Sequence, residues 1–356
     1  MNVGEELRCV HAQIPVELPF LKEKNRALRT LSFTRSVFGV SFLGRICVLP
    51  FVKKIKADQP MISPSFFKAV ASGARPKTLA AGVVPVWAGG VLAWELSGEF
   101  DAWLWICTLL GALCVQVATN FFNDAVDGKN GADGALRTGP RRLTGTGEMS
   151  FAQVMGLGLV FLAGAVFFGA FLVIERGWPM LAIGLPSLFL AYGYTGGPFP
   201  LAYRGLGEIF VILFFGLLAV MGTVFVQTGA WPREAVLLGG QIGLLSAVLI
   251  SVNNFRDREG DALVGKRTLA VRFGPKLAAA VIWLEIKGAA FLGVAWLAMG
   301  YPLFGLASLP VLVIGMRIIW GVLTLPPDER MNRLLALGAL ELVLFAIVFQ
   351  AVALLF

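Results

Sequence analysis

From Leu79 onward the chain alternates long apolar runs with short polar breaks. The runs lie near 79–96, 103–123, 151–174, 179–195, 206–228, 235–254, 277–298, 301–324 and 333–355. Each approaches the ~20 residues that an α-helix needs to cross about 30 Å of hydrocarbon. Lipid offers backbone groups no outside partner, so a spanning segment is either a helix or part of a closed barrel. Barrel strands alternate apolar and polar positions over roughly ten residues, and these runs are too long and too continuous for that. The pattern predicts an all-α fold, a polytopic membrane bundle of about nine transmembrane helices.

The polar breaks are unequal. Lys and Arg gather in every second one, leaving only Arg176 and Arg233 for the alternate set. Cytoplasmic loops carry such an excess. The amino terminus is therefore expected in the cytoplasm and, with an odd number of spans, the carboxyl terminus outside. Residues 1–60 do not fit the series: they are basic, and their apolar stretch from Phe33 to Phe51 is broken by Arg35 and Arg45. An interfacial segment, a targeting peptide and a start site placed too early all suit such a sequence. Translation from Met61 is favoured, because Glu5, Glu6, Glu17 and Glu23 are unusual in a transit peptide. The expected organisation is an amino-terminal extension, 1–60, and a single membrane domain, 61–356.

Composition supports the membrane reading and narrows the chemistry. Hydrophobic residues make up 57% of the 356 positions and charged residues 15%, against about 25% charged in soluble domains. The net charge of +8 then points to a membrane surface before nucleic acid. The one histidine, His11, lies near the amino terminus, and Cys9, Cys47, Cys107 and Cys114 show no C-x-x-C spacing. A histidine base, a His-ligated metal and a thiolate zinc site find no support. Carboxylates, Lys, Arg, Tyr and Asn must carry the chemistry.

Two polar loops on the inner side are rich in Asp. The first runs from Asn120 through Asn123, Asp124 and Asp127 to Asp133, at the cytoplasmic end of the second apolar run. On a helix Asn123 and Asp127 share a face, and Asp124 and Asp127 are neighbours. Glycines 128 and 131 let the chain turn so that Asp133 returns to the same side. The second loop runs from Asn253 and Asn254 through Asp257 and Asp261 to Lys266, Arg267 and Thr268. There Asp257 and Asp261, at i and i+4, point the same way.

Carboxylates that converge at one depth repel unless cations neutralise them, and oxygen ligands without His or Cys suit Mg²⁺. Mg²⁺ held by a few carboxylates completes its shell with water and substrate phosphates, so the facing motifs point to a diphosphate substrate. Arg141, Arg142, Lys266 and Arg267 are placed to neutralise phosphate oxygens. Solvated loop charge is the plainer reading of one such motif. Two of them, each with an Asn partner, are harder to explain that way.

These residues resemble the intramembrane aromatic prenyltransferases of the UbiA superfamily. The first family motif, N-D-x-x-D, is matched by Asn123-Asp-Ala-Val-Asp127. The second, D-x-x-x-D-x-x-x-G-x-x-[ST], is matched from Asp257 to Thr268. The commonest first motif carries another Asp four residues on, where this chain has Gly131 and then Asp133. That longer form is associated with the branch that prenylates 1,4-dihydroxy-2-naphthoate in menaquinone synthesis. The segments Ala74–Leu79, Gly139–Leu143, Tyr194–Leu201 and Gly205–Glu208 agree with the same branch. The resemblance covers Ala74 to the end and leaves residues 1–60 aside.

The resemblance implies Mg²⁺–diphosphate binding by Asn123, Asp127, Asp133, Asp257 and Asp261, with Asp124 in support; the metal itself falls to Asp127, Asp133, Asp257 and Asp261. It implies transfer of a polyprenyl group from an allylic diphosphate to dihydroxynaphthoate, with loss of CO₂, in a bacterial plasma membrane and with the site facing the cytoplasm. Arg75 is a candidate for the acceptor carboxylate and Tyr194 for the acceptor ring or the allylic cation; Asn120 and Asn254 complete the substrate-binding candidates. Another aromatic acceptor, such as 4-hydroxybenzoate, homogentisate or a tetrapyrrole, is the nearest rival. From a different class, a secondary transporter would place its charged or broken segments near the bilayer midplane. Glu285, Lys287 and Arg317 fall inside apolar runs and receive no role.

Overall fold

The computed structural model describes residues 64–131, 139 and 142–355. The expectations for residues 1–60, Asp133 and Arg141 lie outside the described residues. Within them every regular element is helical. A short α1 (Pro64–Gly73) precedes α2 (Ala80–Ser97), α3 (Ala102–Lys129), α4 (Phe151–Arg176), α5 (Trp178–Gly193), α6 (Gly207–Thr228), α7 (Arg233–Leu263), α8 (Leu269–Ala298), α9 (Pro302–Thr324) and α10 (Glu329–Leu355). Eight of these, α2–α4 and α6–α10, are long and apolar enough to cross a membrane. The ninth expected span, α5, has 16 residues and rises about 24 Å at 1.5 Å per residue.

Local sequence sets the boundaries. Asp101 accepts from the Leu104 N–H at 2.9 Å and starts α3, and Ser150 with Gln153 forms a capping box at α4. Glycines follow the ends of α2, α4 and α6. In α8 Gly274 adopts φ 80° and Pro275 resumes the helix, so the apolar run expected from 277 begins just past a bend.

The two Asp segments correct the sequence reading. They were expected as loops, but α3 continues to Lys129 and α7 to Leu263, so both motifs form the final turns of long helices. Neither stretch contains a proline, and the chain turns only beyond them, at Gly131 and Gly265 with positive φ. A polar stretch can prolong a spanning helix when its side chains find partners at the membrane surface.

The central helix is α7, whose Leu238, Ile242, Leu245 and Val248 are buried among α2, α6, α8, α9 and α10. Lipid tails are as apolar as leucine, so such helices associate by close fit rather than by leaving water. A close approach joins α6 to α7. A Cβ on Gly216 would collide with Gly243 Cα and the Gly239 carbonyl, and Gly239 with Gly243 forms the small-x-x-x-small spacing of tight membrane crossings. Across this contact α6 is π-helical, Ile212–Leu218. A second, smaller core of Phe121, Ala125, Leu143, Met149 and Val154 seats the loop after α3 against α3 and α4.

Candidate active site

The last turns of α3 organise one wall. Asn120 Nδ2 donates to the Ala74 carbonyl at 2.9 Å and to Thr78 Oγ1 at 3.4 Å, holding the link between α1 and α2. That link contains Arg75 at φ 52°, the one non-glycine residue with positive φ among the described residues. This conformation costs about 1–2 kcal/mol, and two donors from Thr78, its N–H and its hydroxyl, hold the Arg75 carbonyl at 2.9 Å each. Asn123 Oδ1 accepts from Thr195 Oγ1. Asp124 turns away from the cavity. Its carboxylate accepts from the Leu143 N–H at 2.9 Å, the Thr144 N–H at 3.1 Å and the Thr144 hydroxyl at 2.8 Å. It therefore ties down the loop that carries Arg142 instead of meeting a ligand.

Asp127 receives that loop's cation. Arg142 Nη2 donates to Asp127 Oδ2 at 2.5 Å, and the Tyr203 hydroxyl donates to Oδ1 at 2.7 Å. Burial, then the neighbouring Asp127, push the Tyr203 phenol above its usual value, so it remains a donor. Burial likewise raises the Tyr194 phenol, with Glu208 adding to the effect.

The end of α7 supplies the opposite wall. Asn254 Nδ2 donates to Glu208 Oε1 at 2.9 Å. Arg256 grips Asp257 with two hydrogen bonds, 2.7 and 2.6 Å, and also donates to Asn253 and Asn332. Lys266 Nζ stands 3.7 Å from Asp261 Oδ1 and 4.0 Å from Asp127 Oδ2. Asp261 Oδ2 and Glu208 Oε2 are buried without hydrogen-bond partners.

Together these groups enclose a polar cavity of about 90 Å³ walled by Arg75, Asn123, Asp127, Arg142, Tyr194, Asn254, Asp257, Asp261 and Lys266. Arg75, Asn123, Tyr194, Ile250 and Asn253 also wall a mainly apolar cavity of about 1260 Å³ running among the helices. Asn120 faces only this larger cavity. Arg267, expected to neutralise phosphate, lies on neither wall. Its side chain is exposed and its backbone N–H donates to the Tyr203 carbonyl at 3.2 Å. The turn at Gly265 sends Lys266 inward and leaves Arg267 outside.

Sequence reasoning missed Glu208 and Arg256. Glu208 is a lone acid opening an apolar run, a signal that intramembrane charge is functional by default. Arg256 sits inside the second motif but read as one of many cytoplasmic cations. The unexplained Glu285 accepts from Ser251 at 2.8 Å inside the bundle, while Arg317 is exposed along α9.

Among the described residues no three Asp, Glu, His or Cys side chains converge closely enough to hold a metal alone. The donor set still fits Mg²⁺. It is all oxygen, it carries one buried, unpartnered Asp261 oxygen, and Mg²⁺ needs only one or two carboxylates when substrate phosphates supply the rest. Chemically, a small cavity lined by both cations and carboxylates beside a large apolar one suits a ligand with a charged head and a long hydrocarbon tail.

The 1,4-dihydroxy-2-naphthoate octaprenyltransferase of Haemophilus influenzae is 36% identical over 209 residues, covering 56% of this chain and 68% of that one. The Bacillus subtilis protein of the same description is 34% identical over 242 residues, covering 64% and 78%. In fold, a UbiA homologue from Aeropyrum pernix matches with TM-score 0.60 at 18% identity, over 76% of this chain and 96% of that one. A UbiA homologue from Archaeoglobus fulgidus bound to DMAPP and Mg²⁺ matches with TM-score 0.51 at 16% identity, over 79% and 99%. Residues 82–348, nearly the whole helical bundle, match the family profile itself, and the chain belongs to the UbiA prenyltransferase family.

Proposed function

We propose that this chain transfers a polyprenyl group from an allylic polyprenyl diphosphate to 1,4-dihydroxy-2-naphthoate, with loss of the carboxylate as CO₂, giving demethylmenaquinone in its reduced, hydroquinone form. The observation that carries the reading is the junction of the two cavities. The small one offers Arg142 and Lys266 beside Asp127 and Asp261, and the large one offers apolar walls. A diphosphate fits the first and a polyprenyl chain the second, which leaves the reactive C1 at their common wall of Arg75, Asn123, Tyr194 and Asn253. The descriptions of the bacterial relatives favour dihydroxynaphthoate over other aromatic acids.

Asp127, Asp257 and Asp261, with Asp133, would hold Mg²⁺ through the diphosphate. When bound, Mg²⁺ neutralises phosphate charge and makes diphosphate a better leaving group. Arg142 and Lys266 stabilise the negative charge that develops on the leaving oxygen as the C1–O bond breaks. Arg75, held in place by Asn120 and Thr78, binds the acceptor carboxylate. The aromatic face of Tyr194 stabilises the allylic cation, and the apolar walls keep water from it. The Lys and Arg asymmetry supports a site facing the cytoplasm in a bacterial plasma membrane.

The test is direct. Purified protein in lipid nanodiscs receives Mg²⁺, a prenyl diphosphate and a panel of hydroxylated aromatic acids, and products are identified by mass spectrometry. A prenylated, decarboxylated dihydroxynaphthoate is expected; product from 4-hydroxybenzoate or homogentisate alone would reassign the acceptor, and none at all would refute the reaction.

A further inference from the structure

Glu208 is the one acid on the described wall of the polar cavity that belongs to neither Asp motif. It lies in the first turn of α6 and is 6% exposed. Its Oε1 is engaged by Asn254 at 2.9 Å, while its Oε2 is buried without a partner. An unmet buried carboxylate oxygen is costly, so its persistence on a cavity wall calls for a ligand. The neighbouring backbone fixes where that ligand would sit. The space beside Gly207 is closed by the Tyr194 hydroxyl and by Ile250, two residues that wall both cavities. Glu208, next in sequence to Gly207, therefore stands on the wall of the polar cavity beside that junction, near the place where the acceptor ring must meet C1, and on a helix separate from both diphosphate motifs.

We propose that Glu208 Oε2 is the general base for the aromatic acceptor, taking the proton of its ring hydroxyl as the ring attacks. This rests on the prenyl-transfer reading above. The O–H electron pair moves into the ring, the ring carbon bonds to prenyl C1, and the C1–O pair leaves with diphosphate. The ring is then a ketone at the former hydroxyl carbon. Loss of the carboxylate as CO₂ returns an electron pair to that oxygen, which recovers the proton from Glu208. The acid is thus reset in each turnover, and no further reactant is required. Asn254 occupies Oε1, which leaves Oε2 as the oxygen without a hydrogen bond.

Several ionisable groups face Glu208 and share its environment. Tyr194 is adjacent; Arg75 comes from the α1–α2 link, Asp127 with Arg142 from the α3 side, and Asp257, Asp261 and Lys266 from the end of α7. From α8, Glu285 lies within electrostatic range.

The experiment compares full-length wild type, Glu208→Gln and Glu208→Asp in nanodiscs, with Mg²⁺, a prenyl diphosphate and 1,4-dihydroxy-2-naphthoate, from pH 6 to 9. Gln retains an acceptor for Asn254 but cannot take a proton. Its kcat at pH 7 is expected to fall at least about 10²-fold, with KM for the prenyl diphosphate within about twofold. Its kcat then rises about tenfold per pH unit as bulk base ionises the acceptor instead, whereas wild type and Glu208→Asp keep flatter profiles. Unchanged kcat in Glu208→Gln, a loss that pH does not restore, or a loss confined to KM would each overturn the base. If Glu208→Gln does not fold, Glu208→Asp decides: reduced kcat with the wild-type profile supports the base, and complete loss overturns it. Wild type without product from any acceptor sinks the reading and the base together; active wild type with an unaffected Glu208→Gln sinks the base alone.

Discussion

Asp127 and Asp261 share one counter-ion: the Lys266 ammonium stands 4.0 Å from the first and 3.7 Å from the second. The two carboxylates come from different helices, α3 and α7, so this ammonium joins both motifs electrostatically.

Replacing Lys266 with Met removes that charge and leaves the carboxylates repelling each other and an incoming diphosphate. KM for the prenyl diphosphate should rise about tenfold, equivalent to about 1.4 kcal/mol, and the Mg²⁺ concentration giving half-maximal rate should rise with it. Steady-state kinetics across a Mg²⁺ series checks both.

Asp127→Asn and Asp257→Asn should each reduce turnover by more than about 10²-fold, but they should differ in stability. Asp127 and Arg142 have side chains 4% and 6% exposed, and breaking such a buried pair costs about 3–5 kcal/mol. Asp257 is more open, at 16%, and its partner Arg256 keeps hydrogen bonds to Asn253 and Asn332. Thermal melting in detergent should therefore drop markedly for the first variant and little for the second.

Tyr203→Phe tests the alkaline limb. The folded phenol is raised above its ordinary value of 10.0, so the unfolded chain loses that proton first. Its contribution is fully present below about pH 10 and is lost as pH rises through the folded value. Wild type should consequently lose stability above pH 10 more steeply than Tyr203→Phe. At neutral pH the variant should be less stable by about 1–2 kcal/mol, for the lost hydrogen bond to Asp127. Denaturation midpoints between pH 7 and 11 measure the two slopes.

Gly216→Ala places a methyl group against Gly243 and the Gly239 carbonyl. Backbone cannot yield there as a flexible side chain would, and over-filled contacts of this kind cost about 1–3 kcal/mol. A lower melting temperature is expected, with diphosphate KM less affected than in the Lys266 variant.

Deletion of residues 1–60 should leave prenyl transfer largely intact, since the family match begins at residue 82 and, among the described residues, those that line the two cavities lie beyond Ala71. Activity assays on the shortened chain in nanodiscs check it; complete loss would make the extension part of the enzyme.

Hydropathy made the helices legible because each is one long apolar run, and it placed most boundaries within a few residues. It misjudged the ends of α3 and α7, where polar residues continue the helix by pairing with one another, a compensation that one segment alone does not reveal. The Asp residues were legible from i, i+4 spacing. Their division of labour was not: Asp124 and Asp127 are three residues apart, yet one holds a loop and the other lines the cavity. That difference depends on Leu143 and Thr144, whose N–H groups claim Asp124. Glu208 meets Asn254 only because α6 packs on α7 through Gly216, Gly239 and Gly243. Such close approaches depend on the backbones of two helices at once.

The larger cavity has walls that do not wholly divide it from the bilayer. Ile174 and Leu185 both line it, yet they are 76% and 60% exposed on the lipid-facing helices α4 and α5. A polyprenylated product is nearly insoluble in water, and an exit past these residues spares it any aqueous step. Turnover would then depend on how readily acyl chains exchange places with product at that seam. The composition of the surrounding bilayer becomes a kinetic variable of the enzyme, as much as the concentration of its soluble acceptor.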